Sequence, residues 1–279
     1  MEISIVGICL GLLLLAVPLY VLHVFNTGLL PRALRALARM ALSLAVVGVA
    51  LYFVFRFDHW AVNILFVFAM VGVGALAASR RARLSVRWYF VPVAAGLLVG
   101  AVTVGCWLLV LVLGRRNPLE ARYLIPVVGL LMGAMVKTNA DALATYYMGL
   151  RHHNRLYYHL VGNGANAGKA LEWFVRRALQ RVALPSLERM ATMLVGASPV
   201  VTWSMLLCGV SVVSAIALQV VLLAAGFCAS VVSLLATLYV ARRFSMDEYG
   251  RLTMDNWKKE ERGESAYSLK ESAGEALKD

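Results

Sequence analysis

Acidic side chains are scarce through most of this sequence: only six of its fifteen Asp and Glu residues precede position 244. Cysteine is sparse too. Cys9, Cys106, Cys208 and Cys228 all lie inside apolar runs, with no CxxC or Cys/His spacing. That excludes a disulfide framework or a zinc site and leaves them as small apolar residues. The strict apolar/polar alternation of a membrane β-barrel is missing. No Ser/His/Asp or Cys/His constellation is visible, so no catalytic residue is assigned and an enzyme reading has nothing to rest on. No internal repeat is visible either, which weighs against inverted-repeat secondary transporters.

What the sequence has in excess is apolar surface. Of 279 residues, 61% are hydrophobic and the mean hydropathy is +0.75. Soluble domains hold roughly 45–50% apolar residues. The excess falls in blocks of about 20 residues with few charges, the length that crosses a hydrocarbon layer roughly 30 Å thick. Backbone groups in lipid need partners within their own segment, so the blocks are expected to be helices. The expected fold is an all-α polytopic membrane bundle of about seven transmembrane helices. Their approximate ranges are Ile3–Phe25, Ala38–Phe55, Trp60–Ala78, Tyr89–Leu113, Tyr123–Met148, Leu184–Leu207 and Ser211–Val240. The first follows Met1-Glu2 without a basic flank or a clear cleavage site, so it reads as a retained helix rather than a signal peptide. Residues 1–243 form the expected transmembrane domain, and 244–279 an acidic, aromatic-poor tail expected to be disordered in the cytoplasm.

Charge orients the bundle. One set of loops carries fifteen Lys and Arg, including Arg32, Arg35, Arg39, Arg80, Arg81, Arg83 and Arg87, while the opposite set carries four. Positive charge marks the cytoplasmic side, which places the N-terminus outside and the C-terminus inside. Membrane topology accounts for the +12 formal charge, so no nucleic-acid partner is expected.

Three segments offer mechanism. The cytoplasmic connection, about 149–183, ends in a predicted amphipathic helix. Asn166 suits the N-cap, Leu171, Phe174, Val175, Ala178 and Val182 share one face, and basic residues occupy the other. Such a helix either lies on the lipid surface or docks another protein. Its GNGANAGKA stretch is not a P-loop: Asn163 stands at the first glycine position, Ala170 replaces the Mg²⁺-binding Ser/Thr, and no strand precedes it. No nucleotide or other cofactor is therefore expected on this chain. The fifth block carries Lys137, Thr138, Asn139 and Asp141, with Lys137 and Asp141 spaced to pair along one helix face, and Met132 and Met135 nearby as soft ligands. Intramembrane charges often mark a pathway; a structural pair at the helix end is the plainer alternative. The sixth block holds Pro185, Glu188, Arg189, Met190, Met193, Gly196 and Pro199, a pattern of either a kink or a broken span lining a cavity. His152, His153 and His159 read as surface residues.

The fifth block begins Ile125-Pro126-Val127-Val128-Gly129-Leu130-Leu131-Met132-Gly133-Ala134-Met135-Val136. It resembles the I-P-x-x-G-M-x-x-G-N-x-M pattern of the FetB-like iron-export ABC permeases, relatives of the plant aluminium-tolerance permeases. The proline and both glycines align; Leu130, Ala134 and Val136 differ. Asn163 to Ala170 is similar to the family's L-G-A-T-x-x-x-A element, and Leu184-Pro185-Ser186-Leu187-Glu188 to its I-P-x-x-D element. The stretch Ala197 to Met205 departs from the family's L-P-G-M-M-x-G. The resemblance implies a permease subunit in a bacterial inner membrane, paired as a homodimer and driven by a separate ABC ATPase. Gly164, Ala165, Asn166 and Lys169 would couple to that ATPase. Met132, Met135, Lys137, Asn139, Asp141 and Glu188 would line the pathway of an exported, iron-like metal ion. The competing readings are a stand-alone secondary transporter or channel that uses Lys137 and Asp141 as a switch, and a membrane scaffold without transport.

Overall fold

The computed structural model describes residues 13–25, 28–57, 59–112, 114, 117, 119–194 and 198–245, with no side-chain description for 167 and 243–245. Among the described residues the chain is helical, with no strand. The helices are α1 (Ala16–Val24), α2 (Leu30–Phe57), α3 (Trp60–Arg81), α4 (Val86–Cys106), α5 (Ala121–His152), α6 (Asn154–Gly162), α7 (Ala167–Ala191), α8 (Val200–Leu207) and α9 (Val212–Ser245). A π-helical turn, Trp107–Val112, lengthens α4. Five helical stretches are long and apolar enough to cross a membrane: Leu30–Phe57, Trp60–Arg81, Val86–Val112, Ala121–His152 and Val212–Arg242. They correspond to the second, third, fourth, fifth and seventh expected spans. Of the first, only α1 falls within the described residues, and nearly all of the expected tail falls outside them.

The sixth span takes a different form from the single helix expected over Leu184–Leu207. Pro185 does not start a helix; it sits inside α7, which runs from the cytoplasmic connection to Ala191. The chain then turns, with Leu194 at φ 81°, and resumes only as the eight-residue α8. Proline removes one helical hydrogen bond but does not stop a helix that neighbours hold.

The core is built by small residues. A tightly packed pair forms where α4 crosses α9. A Cβ on Gly96 would stand 2.6 Å from the Ser233 carbonyl oxygen and 2.8 Å from the Thr237 nitrogen. On Gly100 it would stand 3.0 Å from the Ala229 carbonyl oxygen and 2.8 Å from the Met135 sulfur. Gly96 and Gly100 are four apart on α4, and Ala225, Ala229, Ser233 and Thr237 repeat every four along α9. This small-xxx-small pairing lets backbones approach where lipid supplies no hydrophobic drive to associate. α3 and α5 complete the core with Ala75, Ala78, Leu131, Met135 and Leu143. α2 is the exception: of its 28 residues only Val54 is buried, near Ala121 and Ile125. Its remaining apolar surface is suited to lipid.

Candidate functional site

The sequence places all of its suspected pathway residues but Glu188 on one helix, and the structure turns them in different directions. Met132 points at α3, where a Cβ on Gly74 would run into its methyl group. Met135 is fully buried beside Gly100 of α4. Asn139, also fully buried, donates from Nδ2 to Ser233 Oγ of α9 at 2.7 Å. Lys137 is exposed. Asp141 bonds Arg81 of α3, Nε to Oδ1 at 3.2 Å, rather than forming the expected pair with Lys137. The tertiary partner prevails because α3 and α5 are packed side by side, and Arg81 ends α3 at the level of Asp141. The pair is half-exposed, with Arg81 and Asp141 side chains 51% and 35% accessible. Among the described residues, no three His, Cys, Asp or Glu side chains converge into a metal-ligand group.

A cavity of about 340 Å³ lies elsewhere, between α5, α7, α8 and α9. From α5 it takes Gly129, Gly133, Ala134 and Thr138; from α7, Ser186, Arg189 and Met190; from α9, Gln219, Gly226 and Ser230. Its depth follows from α5. Ala121 to Asp141 spans about 30 Å of helix at 1.5 Å per residue, enough to cross the hydrocarbon layer, and Leu131 is the midpoint. Gly129 to Ala134 therefore lie near the middle of that stretch of α5. α7 approaches them from the cytoplasmic side: Phe174 contacts Tyr146 at a centroid distance of 6.5 Å, and its last turns bring Ser186 and Arg189 level with the cavity. Glu188 is exposed at the same height and outside the cavity lining. Of the suspected pathway residues the cavity takes none, but it takes Thr138, Arg189 and Met190, named with the fifth and sixth blocks, and Gly129 and Gly133 of the motif. Gln219 is the missed signal, an amide in the middle of an otherwise apolar span.

The cytoplasmic corner is made by α6, a turn and α7. Gly164, at φ +82°, closes α6: its N–H donates to the Val161 carbonyl at 3.0 Å, and that of Ala165 to the Leu160 carbonyl at 3.0 Å. This is the paired capping pattern that favours glycine. Asn166 then begins α7 with extended backbone, although its side chain makes no capping bond. The apolar face read from sequence is real, and its use differs from both expectations. Leu171, Phe174, Ala178 and Val182 are buried in the protein's own core, mainly against α5, rather than lying on lipid or waiting for a partner. Tyr157 anchors α6 below, and burial pushes its hydroxyl pKa up. Arg177 covers the Trp173 ring at 4.2 Å, Trp173 stacks edge-on with His153, and His152 and His159 are exposed. What remains outward at the corner is Gly162, Asn163, Gly164, Asn166, Gly168 and Lys169.

Residues 5–245 match the model of the uncharacterised protein family UPF0014. The chain belongs to the UPF0014 family. It is 29% identical to Protein ALUMINUM SENSITIVE 3 of Arabidopsis thaliana, with 77% of each chain covered. It is 28% identical to UPF0014 membrane protein STAR2 of Oryza sativa subsp. japonica, covering 76% of this chain and 73% of that one. Over 77% of this chain and 85% of the other, it is 22% identical to UPF0014 membrane protein YjkA of Bacillus subtilis. No solved structure matches it. UPF0014 membership and the five apolar helices together make this a multi-pass membrane protein.

Proposed function

We propose that this UPF0014 member is the membrane-spanning permease subunit of an ABC transporter in a bacterial inner membrane, exporting a metal ion with ATP hydrolysed by a separate subunit. The observation that carries the reading is the α6–α7 corner. Leu171, Phe174, Ala178 and Val182 of α7 and Tyr157 of α6 are already packed into the bundle, while Asn163, Gly164, Asn166, Gly168 and Lys169 remain outward on the side that positive charge assigns to the cytoplasm. A short polar projection of this kind suits a groove on a soluble motor. ATP-driven closure of that motor would then shift the permease between inward and outward states through its differential affinity for them.

Pairing of two copies is supported by Glu188. Its side chain is exposed on α7, flanked by the exposed Leu184 and Leu187. A carboxylate facing hydrocarbon costs several kcal/mol, on the order of 3 on insertion scales; a second copy covering this face removes that cost. The metal-ion cargo rests on the likeness to FetB-type exporters and on Glu188 as an acid near the cavity level.

The test is co-purification from detergent-solubilised membranes with a P-loop ATPase subunit. Asn166→Arg and Lys169→Glu are expected to abolish that association while leaving the purified chain monodisperse. Unchanged association in both variants would refute the coupling assignment.

A further inference from the structure

The cavity between α5, α7, α8 and α9 has a chemistry of its own. Arg189 is its one charged lining side chain among the described residues, and no Asp or Glu lines it. Three hydroxyls line it as well, and each is already committed as a donor to its own helix. Thr138 Oγ1 donates to the Ala134 carbonyl at 2.7 Å, Ser186 Oγ to the Val182 carbonyl at 3.0 Å, and Ser230 Oγ to the Gly226 carbonyl at 2.8 Å. A hydroxyl has one proton, so each presents only acceptor lone pairs inward. Gln219 adds an amide oxygen that is shut from solvent and has no hydrogen-bond partner. Buried polar groups are ordinarily satisfied, so an orphan acceptor on a cavity wall calls for a donor supplied by an occupant. Arg189 is exposed and lines the cavity from its open side, where its planar donor fork matches carboxylate or phosphate.

We propose that the space between α5, α7, α8 and α9 is a binding site for a hydroxyl-bearing oxyanion. Its carboxylate or phosphate group pairs with Arg189, and its hydroxyls donate to Gln219, Thr138, Ser186 and Ser230. The inference rests on the permease reading for its meaning as a cargo site: the exported metal crosses as an anionic chelate rather than as a bare cation. A volume of about 340 Å³ admits a small organic acid and excludes a large one. The same oxyanion chemistry is offered by a phospholipid headgroup, and the experiment separates the two sources.

The experiment uses the full chain in phosphatidylcholine nanodiscs, with equilibrium binding of labelled citrate and of iron(III) citrate, and Mn²⁺ alone as the cationic probe. Citrate is expected to bind saturably. Arg189→Gln should weaken it by at least about tenfold and Arg189→Lys by less, since a point charge keeps the attraction and loses the fork. Gln219→Leu should weaken it several-fold and provides a second variant should Arg189→Gln fail to fold. Replacing part of the lipid by phosphatidylglycerol distinguishes the sources. Arg189-dependent displacement of citrate by that lipid supports the site with a headgroup as its natural occupant, and undisturbed citrate binding supports a soluble occupant. Absence of anion binding, equal binding by wild type and Arg189→Gln, or Mn²⁺ binding that ignores both substitutions would overturn the assignment. None of these measurements needs the ATPase. Loss of anion binding with ATPase association intact refutes only the site, and the reverse refutes only the permease reading.

Discussion

The two flanks of α5 differ in kind. Toward α3 and α4 it meets Gly74 and Gly100, where a single added methyl would strike Met132, Val136 or Met135 of α5. Toward α7 and α8 its glycines, Gly129 and Gly133, open onto a cavity instead. A Cβ on Gly133 would meet nothing within 4 Å. The same residue type thus closes one side of the helix and leaves room on the other. The difference comes from the neighbour: α3 and α4 are continuous helices packed closely on α5, whereas α7 ends at Ala191 and α8 begins only at Val200. One flank is built to stay shut, and the other is built where a solute could reside.

Substitutions can break this contrast, beginning with the most severe. Gly96→Leu should prevent the bundle from forming, since overpacking against backbone costs upwards of about 3 kcal/mol; loss of a monodisperse peak in detergent chromatography checks it. Gly133→Ala, on the open flank, should leave that peak intact. Asn166→Arg should lower ATPase association by about tenfold or more without shifting the thermal midpoint. Asn139→Ala removes the bond to Ser233 and should cost about 1 kcal/mol, the scale of interhelical hydrogen bonds in membranes, seen as a modest fall in melting temperature. Arg81→Gln sits at the mild end. Its pair with Asp141 is half-exposed, so screening holds the loss to under about 1 kcal/mol, and raised salt should erase the difference from wild type.

Much of the scaffold was legible because hydrophobic length and arginine placement are one-dimensional signals. Five spans and the buried stripe Leu171, Phe174, Ala178 and Val182 were readable in this way. Periodicity told which residues share a face, and it did not tell what covers that face; α5 covers it, where lipid or a partner was expected. The partner of Asp141 was hidden for a related reason. Spacing of four favours Lys137 within the helix, and only packing reveals Arg81 alongside. Met132 and Met135 looked like pathway groups because they neighbour Lys137 in sequence, yet helical rotation carries them into the closed flank. The cavity joins residues from 129 to 230, so no local pattern draws its outline; the interrupted sixth block, read as either a kink or a span lining a cavity, and the amide of Gln219 in an apolar run were its traces.

The most direct test of the account is whether a P-loop ATPase accompanies this chain through purification by way of the α6–α7 corner. The account predicts stoichiometric co-elution and ATP hydrolysis for wild type, and neither for Asn166→Arg. A wild-type chain that moves cargo across sealed vesicles with no ATPase and no ATP would contradict it.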